Sequence, residues 1–470
     1  MTPSRATTLV IAGVFFMALL DSAILNTSLP QMARSLGQPT LALATTVTAY
    51  VLTMAVLMPL APWLSVRWGA RRLYLVSIIG FVAASVACGL AENLTQLVAA
   101  RVAQGGAGGL MVVTGRIIAL RRAEGRELMT VQALLVWPAL LAPVIGPPLG
   151  GFVTTYGSWR WNFWLNLPLG LAAVALVLRF VERDAAPTAR TPLDTAGALW
   201  TAAALLLLLG GLEHSAQQIG RGATAQAGAL IAIVAGGLCG VRALRHLHRH
   251  PTPLLSLAPL RVATFRRSVV SAGALSTLCL QATPFVLPLM FQLGHGMSAV
   301  AAGSLLLPYF MGNLAMKTLT TPLLRRFGFR RVLVVDGVIA MLAIPLCGWF
   351  APQTHAVLLV AALILAGASR SMLMTALQTL SLVDVSPPQR ASASTLSAVA
   401  MQIVIAGGIT ICTWVLTASR LVAERPEPML GDFRMTLAML CGLGLLAVPA
   451  YLRLSHDAGA AVSDHRPAGA

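Results

Sequence analysis

Fourteen times along the chain the sequence runs apolar for about 20 residues, the length a helix needs to cross a bilayer. The runs are Val10–Leu29, Ala44–Leu64, Leu73–Leu90, Leu94–Val113, Met129–Phe152, Phe163–Leu178, Ala196–Leu212 and Ala223–Val241. They continue as Val269–Leu293, Ala299–Leu319, Val332–Phe350, Ala356–Leu377, Ala393–Leu416 and Met435–Leu452. Composition agrees. Only 10% of the 470 residues are charged, against about 25% in a soluble domain. So little polar surface cannot form a water-soluble shell, and the chain is read as an all-α integral membrane protein.

A net charge of +18 would suit a nucleic-acid binder. The charges instead form short clusters between the apolar runs, which removes that partner. Every basic residue but Lys317 is arginine. The six cysteines fall inside apolar segments with no CxxC pair, which favours packing over disulfide or zinc chemistry. The first run is long, is interrupted by Asp21 and lacks an evident cleavage site, so it is read as a retained span.

Fourteen spans put both termini on one side. With that side in the cytoplasm, the cytoplasmic loops hold most of the arginines, including Arg67, Arg71, Arg72, Arg121, Arg122, Arg126, Arg242, Arg245, Arg249, Arg266 and Arg267. The opposite loops hold Arg34, Arg160, Arg221, Arg420, Arg425 and Arg434. This is the positive-inside asymmetry. The loops are too short for a catalytic domain, so no enzyme activity is expected.

Two basic turns repeat. Arg67-Trp68-Gly69-Ala70-Arg71-Arg72 matches Arg326-Phe327-Gly328-Phe329-Arg330-Arg331, each closing one run and opening the next. Six spans of about 20 residues with their loops need roughly 200 residues between such turns. The observed separation leaves room for two more helices. The expected organisation is a six-span bundle (1–180), two inserted spans with a linker (181–267), a second six-span bundle (268–455) and a cytoplasmic tail (456–470). Parallel six-span halves are a transporter architecture.

Four motifs carry a resemblance. Leu20-Asp21-Ser22-Ala23-Ile24-Leu25-Asn26-Thr27-Ser28-Leu29-Pro30 lies in the first span, and Leu97 to Gly109, with Arg101, Gln104, Gly105 and Gly108-Gly109, in the fourth. Gly146-Pro147-Pro148-Leu149-Gly150-Gly151 lies in the fifth, followed by Trp159-Arg160-Trp161-Asn162-Phe163-Trp164-Leu165-Asn166-Leu167-Pro168-Leu169-Gly170. In this order they resemble the fourteen-span drug:proton antiporter branch of the major facilitator superfamily, over nearly the whole chain. The resemblance implies two six-helix bundles plus two central helices, proton-coupled efflux, and conformational-switch roles for Gly69, Arg71, Arg72, Gly328, Arg330 and Arg331. It also implies a glycine and an aspartate ahead of the first basic turn, where this chain has Pro62 and Val66. Conformational control is therefore expected to differ.

Charges inside a membrane cost about 3 kcal/mol on insertion scales, so Asp21, Arg101, Arg116, Lys317, Asp336 and Arg370 are functional candidates. Asp21 is a proton-coupling candidate with a fixed structural carboxylate as the alternative. Arg101 shares a helix face with Gly105 and Gly108 and is the second such candidate, or a packing cation. Asn26, Gln104, Arg370 and Lys317 are the substrate-cavity candidates. Gly146, Pro147, Gly150 and Gly151 suit a kinked, close-packed helix that moves. The segment Arg242 to His250 holds three histidines, but their spacing suits no metal and arginines flank them, so a solvated loop near anionic lipid is expected.

No Gly-x-x-x-x-Gly-Lys loop occurs, so neither ATP nor another cofactor is expected and a gradient must drive any transport. The leading expectation is proton-coupled export of small amphipathic molecules by a monomer in the bacterial inner membrane, with both termini cytoplasmic. Export of a small anionic metabolite and a non-transporting sensor are the alternatives.

Overall fold

The computed structural model describes residues 3–121, 125–184, 192–219, 223–350, 355–386, 389–455 and 458–459. The expected tail therefore lies almost wholly outside the described residues, as do Arg122 and Arg221. Among the described residues every regular element is helical: α1 (Pro3–Ser35), α2 (Ala44–Leu57), α3 (Ala61–Trp68), α4 (Ala70–Leu90), α5 (Leu94–Leu120), α6 (Gly125–Tyr156), α7 (Arg160–Trp164), α8 (Asn166–Phe180) and α9 (Thr195–Gln217). Then follow α10 (Ala223–Arg249), α11 (Ala263–Val269), α12 (Ala272–Leu289), α13 (Ala299–Trp349), α14 (Ala356–Val383), α15 (Arg390–Val422), α16 (Leu430–Leu445) and α17 (Val448–Leu452).

Among the described residues twelve helices are long and apolar enough to cross a membrane, two fewer than the runs read from sequence. The difference lies in two places. The run Met129–Phe152 falls in α6, a 32-residue helix with four internal prolines that is outside the twelve. The runs Ala299–Leu319 and Val332–Phe350 both fall in the 51-residue α13. That helix is interrupted at Gly328, whose φ of 73° and ψ of 162° are not helical.

Prolines explain why some runs break. Lacking an N–H, Pro59 and Pro62 sit where α2 gives way to a short 3-10 turn and then α3. Pro449 does the same between α16 and α17. Helices also outrun their apolar stretches: α1 begins seven residues before Val10 and ends six after Leu29.

α6 lies between α1 and α13, and α2 between α5 and α15. These contacts join the first part of the chain to the last. The closest approaches use glycine. A Cβ on Gly151 would stand 2.3 Å from the Ala299 carbonyl oxygen, and one on Gly303 2.2 Å from that of Pro147. On the other side, a Cβ on Gly105 would stand 2.3 Å from the Tyr50 carbonyl oxygen. Backbone-to-backbone packing of this kind replaces the hydrophobic effect that is absent between helices in lipid.

α9 and α10 pack on each other as a hairpin at the edge. Only 22% and 17% of their apolar windows are buried, against 72% for Ala263–Gly294. Leu230, Ile231 and Leu238 stand exposed on α10, as a lipid-facing surface requires. The hairpin meets the rest mainly through α9, which rests on α2 and α15, and Leu247 of α10 joins an apolar cluster with Phe265 and Leu396.

Candidate functional site

Asp21 sits about midway along α1, and Arg101 comes from α5. Their side chains meet at 2.9 Å, each 1% exposed. Taking two such charges out of water costs several kcal/mol per ion, so the pair persists only with further hydrogen bonds. Those are present. Asp21 Oδ1 accepts from Gln104 Nε2 at 3.0 Å and from Asn166 Nδ2 at 2.6 Å. Arg101 Nη1 also donates to Gln104 Oε1 at 2.7 Å, and its Nε donates to the Thr46 carbonyl at 3.2 Å. The guanidinium carbon lies 4.0 Å from the centre of the Tyr50 ring, a cation–π contact. Asn166 also donates to Ser85, whose hydroxyl donates to the Phe163 carbonyl.

Helical spacing builds this site. Arg101 and Gln104 are three apart on α5 and share a face. Two turns further along α1, Ser28 leaves the Asp21 network for a second one. Its hydroxyl pairs with Thr154 at 2.8 Å and accepts from Asn162 Nδ2 at 2.6 Å. Gln31 closes that network by donating to the Thr154 carbonyl and accepting from the Trp159 N–H. Asn162 and Asn166, four apart, thus serve the two networks in turn.

The other candidates lie elsewhere. Asn26 faces α12, donating to the Pro284 carbonyl at 3.3 Å, and its Oδ1 has no partner. Arg370 on α14 donates to Gln281 Oε1 on α12, and its Nε is unpartnered. Lys317 on α13 donates to the Thr375 hydroxyl at 2.6 Å. Both cations are half-buried, and the partners they have in these bonds are neutral. Asp336 accepts from Ser369 and has an unpartnered Oδ2. Arg116 reaches across from α5 to the Ser394 hydroxyl of α15 at 3.4 Å.

The two basic turns share a backbone conformation. Gly69 has a φ of 87° and Gly328 of 73°, both with extended ψ, a region that favours glycine. At the first basic turn, where this chain has Val66, a carboxylate arrives from a distant part of the chain. Asp184 Oδ2 accepts from the Arg71 backbone N–H at 2.8 Å, capping α4. Its Oδ1 pairs with Arg121 at 2.9 Å. Arg71 also donates to the Leu178 carbonyl, while Arg72 is exposed. Arg331 is exposed beyond Gly328, and Phe329 is buried there. Gly146 and Gly150 press on Ala23 and Ile24 of α1, so the span-five motif backs the segment that carries Asp21.

Sequence reasoning missed several groups. Asn166 was visible in a motif without a role, and its spacing from Asn162 was the available signal. Asp184 lies in a linker. Glu213 stands one residue past the run Ala196–Leu212, so it reads as a span end, yet α9 continues to Gln217. The segment expected as a solvated loop is instead, as far as Arg249, the last turns of α10, and two of its three histidines gain a neighbour: Asp194, His246 and His250 bring ligand-capable atoms within 4.8 Å of one another. Both carboxylate oxygens of Asp194 are already engaged, by the N–H groups of Gly197 and Leu254 and by His246.

A helical bundle with an apolar outer surface and buried polar networks is the make-up of a multi-pass membrane protein. The family profile of the Major Facilitator Superfamily matches residues 11–409, and the chain belongs to that superfamily. It is 32% identical over 412 residues to a protein of Serratia proteamaculans named "Putative multidrug resistance protein MdtD", covering 86% of this chain and 83% of the relative. The protein of the same name in Citrobacter koseri is 32% identical over 414 residues, covering 86% and 84%. Among solved structures the fold is similar to a POT family peptide transporter, with a TM-score of 0.68 at 14% identity over 99% of both chains. A D-xylose-proton symporter gives 0.63 at 13% identity over 96% and 97%.

Proposed function

We propose that the protein exports small amphipathic molecules against inward proton flow. The observation that carries this reading is the sealed Asp21–Arg101 pair between α1 and α5, a charge balance that a proton on Asp21 would upset. A protonated Asp21 no longer compensates Arg101, and the freed guanidinium must find another acceptor. That links proton uptake to helix movement. The multidrug-resistance name of the 32%-identical relatives supports the substrate class.

The accompanying architecture is fourteen spans, reached by dividing α13 at Gly328 and adding α6 to the twelve apolar helices. Residues 1–180 and 268–455 form the two bundles, and α9 and α10 are the insertion. Both termini face the cytoplasm of a bacterial inner membrane, which the arginine-rich loops favour. The functional unit is one chain. Gly69, Arg71 and Arg72, together with Gly328, Arg330 and Arg331, act as the switch turns, with Asp184 doing the work of the absent aspartate.

The test is uptake of a lipophilic cation into inverted membrane vesicles. Wild type accumulates it when the lumen is acidified and loses it on adding a protonophore; indifference to the protonophore contradicts the reading. A second reading, that the cargo bears an anionic group, is favoured by Arg370 and Lys317, half-buried cations bonded to neutral side chains. Inhibition of uptake by organic acids, abolished in Arg370→Gln, separates the two.

A further inference from the structure

We propose that Glu213, on the inserted hairpin, is a proton-binding site that senses the closure of α2 against α15. Its part in transport rests on the proton coupling proposed above; its binding of a proton does not. The side chain is buried, 5% exposed, in a helix of whose apolar window only 22% is buried. It reaches back into the bundle. Its Oε1 accepts from the Thr45 hydroxyl of α2 at 3.1 Å. Its Oε2 accepts from Thr410 of α15 at 3.0 Å and from Thr48 of α2 at 3.5 Å. Gln217, one turn along α9, donates to Thr45 in turn. One carboxylate thus holds three helices, two of them from opposite ends of the chain.

The chemistry of these partners separates Glu213 from Asp21. Asp21 is surrounded by a guanidinium and two amide NH2 groups, which donate and cannot accept. A proton placed on it would face N–H groups with no acceptor among them. Glu213 faces three hydroxyls, with the Gln217 side-chain amide beside them. A hydroxyl rotates and serves as donor or acceptor. When Glu213 takes a proton, its new O–H donates to one threonine oxygen, and that hydroxyl turns to a carbonyl of its own helix. When the proton leaves, the hydroxyls turn back. Both forms are satisfied without moving a helix.

Among the described residues no lysine, arginine or histidine pairs with Glu213. On α9, His214 is exposed on the other side. The one ionisable side chain of α2, Tyr50, lies under Arg101, and Arg101 itself ends on the Thr46 carbonyl. α15 has the buried Cys412 between Arg390 and Arg420 at its two ends. The basic residues of α10, Arg242 to Arg249, gather at the end marked by the His246–Asp194 contact, about 28 Å away along α9 at 1.5 Å per residue. An unpaired buried anion is costly, and a proton is the counter-ion that this cage of hydroxyls can take or release. Glu213 also lies only one turn from the end of α9, so the path to bulk water is short.

If α2 and α15 part during transport, Thr410 leaves and the anion loses a donor. Separation therefore favours the protonated form, and deprotonation favours the closed seam. Infrared difference spectroscopy of the purified protein, titrated in pH without any substrate, tests the site. Wild type should show a carboxyl C=O band that grows as pH falls. That band should vanish in Glu213→Gln, persist in Asp21→Asn and Asp336→Asn, and shift in Thr410→Val. A Glu213→Gln spectrum that superimposes on wild type overturns the proposal. Should Glu213→Gln not purify, Glu213→Asp keeps the carboxyl, and an unshifted band there overturns it equally. If wild-type vesicles show no proton-driven uptake while the band is lost in Glu213→Gln, the transport reading fails and this site stands.

Discussion

Arg101 is 1% exposed, yet every bond it makes is to a group that needs a donor: a carboxylate, an amide oxygen, a backbone carbonyl. Removing it would leave Asp21 charged and unpaired in a dry interior. Breaking one side of a buried pair costs about 3–5 kcal/mol. Arg101→Ala should therefore lower the unfolding temperature in detergent sharply, and the double variant Asp21→Asn/Arg101→Gln should recover much of the loss because no charge is left over. Additive losses in the double variant would mean the two residues do not act as a pair. Arg101→Lys should recover the charge but not the fork that reaches Asp21, Gln104 and Thr46 together, so transport should remain depressed. At this scale the sequence was partly legible. Asp21, Arg101 and Gln104 stood out because charge and amide in hydrocarbon are costly. Asn166 and Glu213 did not, because an amide in an aromatic motif and a carboxylate at a span end look ordinary until helices are placed side by side.

Helix ends and helix crossings carry the next set of expectations. Gly151 meets the Ala299 carbonyl so closely that Gly151→Val overpacks the α6–α13 crossing, at about 1–3 kcal/mol. Thermal unfolding should show it, whereas Gly13→Ala, where a Cβ meets nothing within 4 Å, should leave the unfolding temperature unchanged. Asp194 caps α9 just outside the membrane. Burial raises its pKa, but hydrogen bonds from Gly197, His246 and Leu254 outweigh burial and hold it below the usual aspartate value. A carboxyl depressed in the fold stabilises above its unfolded value and loses that contribution as pH falls through the folded one. The cap should survive mild acid and fail only below the ordinary aspartate range. Asp194→Ala should lose about 1 kcal/mol at neutral pH, read as faster hydrogen exchange at Gly197 and Leu254; unchanged exchange would contradict the cap. The apolar runs foretold these helices well because hydrocarbon allows few other structures. They could not foretell that Asp184 would cap α4, since the partner lies more than a hundred residues away.

For the molecule as a whole, the repeat of basic turns was visible in the sequence and returns as matching positive-φ glycines at Gly69 and Gly328. What sequence could not supply was how α9 and α10 attach. Their composition reads as two plain spans, and only contact with α2 and α15 gives Glu213 its partners. On the proposed reading, proton flow alone powers export through a bundle organised around Asp21 and Arg101. Purified protein reconstituted in liposomes, with an imposed pH gradient and no ATP, measures this directly through uptake of a lipophilic cation. Wild type should accumulate the cation only while the gradient lasts, and Asp21→Asn should accumulate none above passive leak. Accumulation by Asp21→Asn equal to wild type, or by wild type without a gradient, would contradict the account.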